Sequence, residues 1–272
     1  MKLDFRYMIV NKLFLTPLLI IWSLSSCGQV LYKNSFGDPT VLKQTYGIEA
    51  ASDSSVKIDK LNGVNGRSSV RFELNSTDRV VSTSKRSEMV IYREKRPNVE
   101  RWVRMGVMVP DETKQDTSQE IIAQWHAIPD LNLGEKWRSP PMSLRIQNGN
   151  FYLDLKWANQ RVNSNNTLTG SRRLLIGKLI PGHWYEMIFH IKFSYNKDGF
   201  VDLWKDGEKV ISYKGPNYYN DFRGPFLKLG IYKWEWMSRS KRAAKATRVV
   251  YFNDVLIADE TANFTTIKNF RF

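Results

Sequence analysis

The composition of this 272-residue chain excludes a disordered protein, because 42% of its residues are hydrophobic and can form a sizeable core. It also excludes an internal disulfide bond, since Cys27 is the only cysteine. The formal net charge of +14 at pH 7 indicates a polyanionic partner such as nucleic acid, anionic lipid or an acidic polysaccharide.

Residues 1–27 have the pattern of an export signal of the bacterial lipoprotein type. A basic segment (residues 1–12) precedes an apolar one (13–24) that is too short to span a bilayer comfortably. Leu24-Ser25-Ser26-Cys27 resembles a lipobox, and the alternative is an ordinary secretory signal with an unrelated cysteine. We expect lipidation at Cys27, a location in the bacterial outer membrane or periplasm (otherwise secretion), and no other membrane contact. Export also argues against nucleic acid as the partner.

From residue 28 to residue 272 we predict one all-β domain. Apolar and polar residues alternate over residues 70–74, 85–93 and 103–109, which is typical of half-buried strands. No long stretch has convincing helical periodicity, so helices contribute little to the predicted architecture.

Turn signals separate further alternating segments. Asn or Asp followed by Gly favours a tight hairpin turn, because both central residues need positive φ. These signals are Asn148-Gly149, Asp198-Gly199 and Asp206-Gly207. Residues 249–252 and 255–257 supply closing strands. The pattern predicts a meander within a single antiparallel β-sandwich of the jelly-roll, concanavalin-like type.

Residues 117–122 are ambiguous. Thr117-Ser118-Gln119-Glu120 fits a helix capping box. A helix would place Gln124 and His126 on roughly opposite sides, about 200° apart, whereas a strand would place both on one face. Periodicity leaves both alternatives open.

Three short stretches carry candidate chemistry: Arg86-Ser87-Glu88-Met89, Gln124-Trp125-His126 and Lys228-Leu229-Gly230-Ile231-Tyr232. In the last, strand alternation places Lys228 and Tyr232 on one face, and Gly230 leaves room for a ligand between them. Together the three resemble the motifs of β-jelly-roll polysaccharide lyases. In the alginate lyases of that fold these motifs read R-S/T-E-L, Q-I/V-H and Y-F-K-x-G-x-Y.

The wider layout of residues 70–258 is more similar to the heparin lyase I and glucuronan lyase relatives. Met89, Trp125 and Leu227 depart from the alginate lyase motifs at apolar positions. The excess of positive charge favours highly charged chains such as heparin or heparan sulfate, but glucuronan and alginate also satisfy it.

The resemblance implies that the protein cleaves a uronic-acid polymer by β-elimination and leaves a 4,5-unsaturated uronate. Gln124 and Arg86 would neutralise the carboxylate beside C5, a role in which one donor is worth roughly 10²–10³ in rate. His126 would remove the C5 proton as the base, and Tyr232 would protonate the leaving C4 oxygen as the acid. In some lyases of this fold the tyrosine does both, depending on the epimer of the substrate.

The remaining site predictions concern binding. The substrate contacts that the resemblance implies are Lys228, Arg145, Lys156, Glu88 and Trp234. For Trp234, sugar stacking and a place in the core are equally compatible with the sequence. No cluster of His, Cys and carboxylates in the sequence has zinc-like spacing, so we expect no required cofactor and no metal at the reaction centre. Fold analogy makes Asp254 a candidate for a structural calcium site. We expect a monomer whose partner is the anionic polysaccharide.

Two alternatives stay open. A non-catalytic, lectin-like module that binds acidic polysaccharide fits the charge, the aromatic content and the export signal, and differs only in not requiring the motifs. A glycoside hydrolase on the same sandwich would need paired carboxylates, and the laminarinase-type run Glu-x-Asp-x-x-Glu is absent from the sequence.

Overall fold

The computed structural model describes residues 28–111, 118–238 and 246–272, and the predicted export signal with Cys27 lies outside these ranges. The strands are β1 (Val30–Asn34), β2 (Ile48–Glu49), β3 (Val56–Asp59), β4 (Ser69–Asn75), β5 (Arg86–Arg93), β6 (Glu100–Met108), β7 (Glu120–His126), β8 (Met142–Gln147), β9 (Asn150–Trp157), β10 (Gly170–Lys178), β11 (Tyr185–Lys192), β12 (Phe200–Lys205), β13 (Glu208–Lys214), β14 (Phe226–Tyr232) and β15 (Thr247–Ala258).

Helical structure is confined to short segments. The 3₁₀ turns are Pro39–Lys43, Asp53–Ser55, Val64–Gly66, Leu131–Leu133 and Trp234–Met237, and the α-helix is α1 (Phe264–Lys268). No helix in the described ranges has both the length and the apolar character that crossing a membrane requires.

The strands form two antiparallel sheets, as the sequence predicts. One, which we call the outer sheet, has the order β13-β12-β11-β6-β15-β4-β3, with β1 also paired to β15. The other, which we call the groove sheet, has the order β10-β9-β8-β7-β14-β5-β2. Consecutive strands form hairpins at the sheet margins, whereas the central neighbours, such as β11 and β6 or β7 and β14, come from distant parts of the chain, which is the crossover pattern of a jelly roll.

The core lies between the two sheets and consists of alternate side chains from each strand. In β14, Leu227, Leu229 and Ile231 point inward as predicted and are fully buried. Trp125 on β7 also points inward and contacts Phe189 of the outer sheet, with the ring centroids 5.0 Å apart. Because strand side chains alternate, the residues on either side of Trp125 must face away from the core.

Two of the predicted hairpin turns are confirmed and one is not. Asn148-Gly149 and Asp206-Gly207 have positive φ at both residues and join β8 to β9 and β12 to β13. Neither residue of Asp198-Gly199 has positive φ, because β11 and β12 are joined by the longer connection 193–199. The backbone N–H of Ser194, in this connection, donates a hydrogen bond to the Asn217 side chain at 2.9 Å.

The ambiguous segment is a strand. Glu120–His126 forms β7 between β14 and β8, so Gln124 and His126 share the face opposite to the core. Beneath this strand the buried Glu120 carboxylate pairs with Arg248 and with Lys233, whose Nζ is 3.4 Å away. This buried ion cluster links β7 to β15 and to the end of β14.

Gly230 has a different role from the predicted one. Its φ is +136°, and a Cβ at this position would lie 2.1 Å from the Ser87 carbonyl oxygen of β5. The glycine therefore allows close approach of β5 at a bulge in β14, and it does not make room for a ligand.

Candidate active site

A groove with a volume of about 1320 Å³ crosses the face of the groove sheet that points away from the core. It is lined by all but one of the residues predicted to be catalytic or substrate-binding. These lining residues are Arg86, Gln124, His126, Arg145, Lys156, Lys228, Tyr232 and Trp234. The sandwich thus brings together side chains that lie up to about 150 positions apart in the chain.

Strand register arranges the groove floor in rows that run across the sheet. In the middle row, Lys228 of β14 lies opposite Gln124 of β7, which lies opposite Ser143 of β8. In a row toward one end of the groove, Tyr232 pairs with Arg86 of β5 on one side and with Ile121 on the other.

The third row lies toward the opposite end of the groove. Here His126 lies opposite Phe226 of β14. Five positions of β7 separate His126 from Ile121, the partner of Tyr232, which is on the order of 16 Å along an extended strand. The backbones of His126 and Tyr232 therefore lie in rows on either side of the Gln124 row, toward which both side chains must reach to act on one sugar unit.

Two cations and two carboxylates form a cluster at the Tyr232 end of the middle row. Glu49 of the two-residue strand β2 bridges Arg86 and Lys228, with an N–O distance of 2.6 Å to each. The second carboxylate, Glu88, lies 3.4 Å from Arg86 and 4.0 Å from Lys228. Burial raises the pKa of Glu49, but the Lys228 and Arg86 charges outweigh it and leave the Glu49 pKa below its ordinary value.

Glu88 is the predicted site residue that does not line the groove, so its assignment as a substrate contact stays a prediction. It shares a face with Arg86, but the surrounding side chains cover it and leave only 2% of the residue exposed. Gln124 donates a hydrogen bond from its Nε2 to Glu88 Oε1. Burial raises the pKa of the Glu88 carboxyl despite the two nearby cations. Glu88 therefore supports the side chains of the floor from below.

His126 is half-buried at its end of the groove. Its Nδ1 lies 2.8 Å from the Ala127 carbonyl oxygen, which can only accept, so Nδ1 carries the proton. The ring stacks on Phe226 at 5.2 Å. Burial, with smaller contributions from the charges of Lys228 and other cations, lowers the His126 pKa to about 4. The imidazole is thus neutral at pH 7, with an unprotonated Nε2 available as a proton acceptor.

Tyr232 stands among cations and a second aromatic ring. The Arg86 guanidinium lies over its ring, 4.6 Å from the centroid, and Trp234 stacks beside it at 5.7 Å. Arg145 in turn lies over Trp234 at 4.6 Å. Trp234 therefore lines the groove, whereas its neighbour Trp236 is fully buried in the core.

The groove continues across β8, β9 and β10 as a basic surface. Asp154 lies 2.9 Å from Arg145 and 2.7 Å from Arg173 and so holds the two arginines together. Burial, together with the charge of Arg145, lowers the pKa of Lys156. The cations that line the groove are Arg86, Arg93, Arg138, Arg145, Lys156, Arg172, Arg173 and Lys228. The only carboxylates that line it within the described ranges are Glu49 and Asp154, so the groove attracts anions strongly.

Sequence reasoning missed several groove residues, including Glu49, Trp137, Arg138 and the pair Arg172-Arg173. The arginine pair could have been found, because it directly precedes the apolar run Leu174-Leu175-Ile176. Glu49 carries no local signal, since its role depends on pairing between β2 and β5 across some 40 positions. Trp137 lies in a loop, where no periodicity applies.

Carboxylates that could hold a metal ion occur in one place among the described residues. Asp130, Glu135 and Asp221 are buried together beside the loop after β7. Arg138 lies within this cluster, with N–O distances of 2.6 Å to Asp221 and 3.1 Å to Glu135. Burial raises the pKa of Asp221 to about 7 despite this guanidinium. The arginine already supplies the charge that a cation would bring.

Asp254, the candidate for structural calcium, lies outside that cluster. It occupies a bulge of β15 with a φ of +48° and pairs with Arg67. The neighbouring Asn253 side chain is buried, and both its polar atoms lack a hydrogen-bond partner, as does Asp254 Oδ1. These oxygens suit calcium, whereas Arg67 opposes it, so calcium at this position stays a prediction.

The fold and the groove define a β-sandwich protein with a large cationic ligand site beside a neutral histidine and a tyrosine. A model of the family described as polysaccharide lyase matches residues 36–256, which is well over half of the sequence. The chain therefore belongs to the polysaccharide lyase family. Curated proteins give no sequence match to it.

Solved structures share this fold at low sequence identity. The endo-β-1,4-glucuronan lyase from the fungus Trichoderma reesei superposes with a TM-score of 0.70 at 17% identity, over 88% of this chain and 98% of that one. Alginate lyase A1-II′ gives 0.52 at 12% identity, over 76% and 84% of the two chains. Alginate lyase PA1167 from Pseudomonas aeruginosa gives 0.51 at 14%, over 86% and 99%.

Proposed function

We propose that this lyase cleaves a uronic-acid-containing anionic polysaccharide by β-elimination and leaves a 4,5-unsaturated uronate end. The observation that carries the proposal is the row order of the groove floor. Gln124 and Lys228 occupy the middle row, His126 the row at one end and Tyr232 the row at the other. A uronate whose carboxylate binds at the middle row has a candidate base on one side and a candidate acid on the other.

The middle row can neutralise the substrate carboxylate, which is the first requirement of the reaction. The proton on C5 is barely acidic while the adjacent carboxylate keeps its charge, so that charge must be neutralised as the carbanion forms. The Gln124 amide has a second N–H besides the one that it donates to Glu88. This N–H, with the Arg86 and Lys228 cations, stabilises the enolate-like state, and one such donor contributes roughly 10²–10³ in rate.

The two proton transfers are then carried out by different residues, one from each of the outer rows. His126 Nε2 takes the C5 proton, the electron pair of the C–H bond forms the C4–C5 double bond, and the C4–O4 bond breaks. The Tyr232 hydroxyl donates its proton to the departing O4. Each positioned acid or base of this kind contributes roughly 10²–10⁴. For the opposite epimer, where C5–H and O4 lie on the same face, Tyr232 serves as both base and acid.

Charge and family membership support an acidic substrate. Eight cations line the groove, and even with Arg138 neutralised by the buried Asp221 and Glu135 they outnumber the two lining carboxylates. This excess suits a polymer that carries a negative charge on many of its units. The solved relatives are named for glucuronan and alginate, and both of these polymers consist of uronates. Heparin and heparan sulfate are the further candidates. The lectin and hydrolase alternatives are disfavoured because the chain is a member of a lyase family.

The test mixes the purified protein with heparin, heparan sulfate, glucuronan, alginate or hyaluronan and follows the ultraviolet absorbance of the unsaturated uronate. We expect a rise with at least one polymer. Tyr232→Phe and His126→Ala should lower it by roughly 10²-fold or more. Matched controls are Tyr46→Phe and His183→Ala, which alter a tyrosine and a histidine that do not line the groove. No rise with any polymer, or equal losses in the control variants, would contradict the proposal.

We also propose that the protein is exported and anchored through a lipid on Cys27. The support is the lipobox-like run before the only cysteine. Expression in a bacterium with a labelled fatty acid should label the wild-type chain and not Cys27→Ser, and cell fractionation should place the wild-type chain in the envelope. Labelling of both chains or of neither would refute the anchor.

A further inference from the structure

Trp137 is an exposed aromatic residue that has no role in the reaction proposed above. Its side chain lines the groove and the residue is 60% exposed, although a large indole is normally removed from water. The centroid of its ring lies 5.6 Å from that of His126 and 6.3 Å from that of Phe226, and both contacts have edge-to-face geometry. Trp137 therefore stands at the His126 end of the groove, on the side away from Tyr232.

The loop that carries Trp137 is held rigidly by its next residue. The Arg138 guanidinium makes two hydrogen bonds to Asp221, at 2.6 and 2.8 Å, and a third to Asn163 at 2.7 Å. Glu135 pairs with the same guanidinium and also accepts from the Asn163 backbone at 2.9 Å. All four side chains are buried. The exposed indole is thus presented by a fixed support, so binding a ligand costs little ordering of the loop.

The reaction fixes which part of the substrate passes over this indole. O4 leaves on the Tyr232 side, so the sugar unit that departs lies toward Tyr232 and Trp234. The unit bonded to C1 of the reacting uronate extends the other way, past His126. A pyranose ring has an apolar face of C–H bonds, and a flat aromatic surface covers such a face better than a charged side chain does.

We propose that Trp137 is the stacking platform for the sugar unit on the reducing side of the reacting uronate, an inference that rests on the proposed function. The platform binds a neutral feature of the polymer, its ring face. It therefore sets how many units must be bound for efficient cleavage, whereas the cations recognise the charge.

The test compares Trp137→Ala with Leu131→Ala on the polymer that the wild type cleaves and on its oligosaccharides. Leu131 is a matched control, because it is 62% exposed on the same loop and does not line the groove. For Trp137→Ala we expect KM to rise about tenfold on the polymer with kcat within about twofold of the wild type. Oligosaccharides that end at the reacting uronate should show no change. Trp137→Phe should recover most of the loss, and melting temperatures should show that all variants fold.

Direct binding gives a second readout. In the Tyr232→Phe background, polymer should change the tryptophan fluorescence, and adding Trp137→Phe should remove most of that change. Equal KM values for Trp137→Ala and the wild type on every substrate would overturn the inference. So would a fall in kcat alone, since that would mean that the indole acts only on His126. If the wild type cleaves no polymer, the proposed function fails first. If it cleaves and Trp137→Ala behaves like Leu131→Ala, only this inference fails.

Discussion

The pH dependence of cleavage tests the role of His126 directly. A base must be unprotonated to act, so the rate should fall when the imidazole gains a proton. An ordinary histidine has a pKa of about 6.5. Burial, reinforced by the charges of Lys228, Arg138 and Arg86, lowers the His126 pKa to about 4. The shift of about 2.5 units corresponds to about 3 kcal/mol against the charged form.

The expected acid limb of kcat/KM therefore has its midpoint near pH 4, with activity retained at pH 6. Stability should follow the same titration. The folded-state pKa lies below the unfolded one, so the unfolded chain binds the proton first as the pH falls below about 6.5. The free energy of unfolding then decreases by at most about 3 kcal/mol as the pH approaches 4. His126→Asn should remove this part of the pH dependence.

Two measurements check the assignment. Steady-state cleavage is followed by absorbance between about pH 3 and pH 8, and the histidine ring signals are followed by NMR over the same range. Only three histidines occur in the chain, so the signal lost in His126→Ala identifies the residue. An acid limb near pH 6.5, or a His126 signal that titrates there, would refute the reasoning about burial and neighbouring charge.

Three further predictions concern the support of the site. Glu88→Ala leaves the buried Gln124 amide without its acceptor and opens a space beneath the floor, and it should lower the free energy of unfolding by on the order of 3 kcal/mol in urea denaturation; an unchanged midpoint would contradict this. Gly230→Ala should cost a similar amount and reduce cleavage, because its Cβ would meet the Ser87 carbonyl, whereas Gly134→Ala meets no atom within 4 Å and should cost about 1 kcal/mol. Glu120→Gln should lower thermal stability by an amount equivalent to about 3 kcal/mol in calorimetry, because it breaks a buried ion cluster; a shift below 1 kcal/mol would contradict this.

Much of the fold follows from local rules in the sequence. Period-two alternation locates β4, β5 and β6 within two or three residues at each end, and Asn-Gly and Asp-Gly identify two hairpins. The failure at Asp198-Gly199 has a physical cause. The Asn217 side chain, from a distant segment, fixes the longer connection and overrides the local preference.

In the candidate site, too, local patterns identify some residues, whereas others depend on contacts between distant segments. Gln124, Lys228 and Tyr232 are found because strand alternation projects them onto one face. Glu88 shares their face but does not line the groove, because alternation gives the direction of a side chain and not what covers it. Its burial depends on neighbours from other strands, such as Glu49 of β2 and Gln124 of β7. Trp137 is missed for a related reason, since the loop that presents it is held by the pair between Arg138 and Asp221, which joins two separate loops.

The position of β10 has a consequence for how copies of the protein meet. This strand is the margin of the groove sheet, and within the part of the chain that the structure describes β9 is the only strand paired with it. Such a margin exposes backbone groups that can pair with a strand of another molecule. Arg172 and Arg173 are exposed on it, and like charge between two such margins opposes that pairing. Neutralising both arginines would therefore weaken attraction of a polyanion and also increase the tendency of the protein to aggregate through this margin.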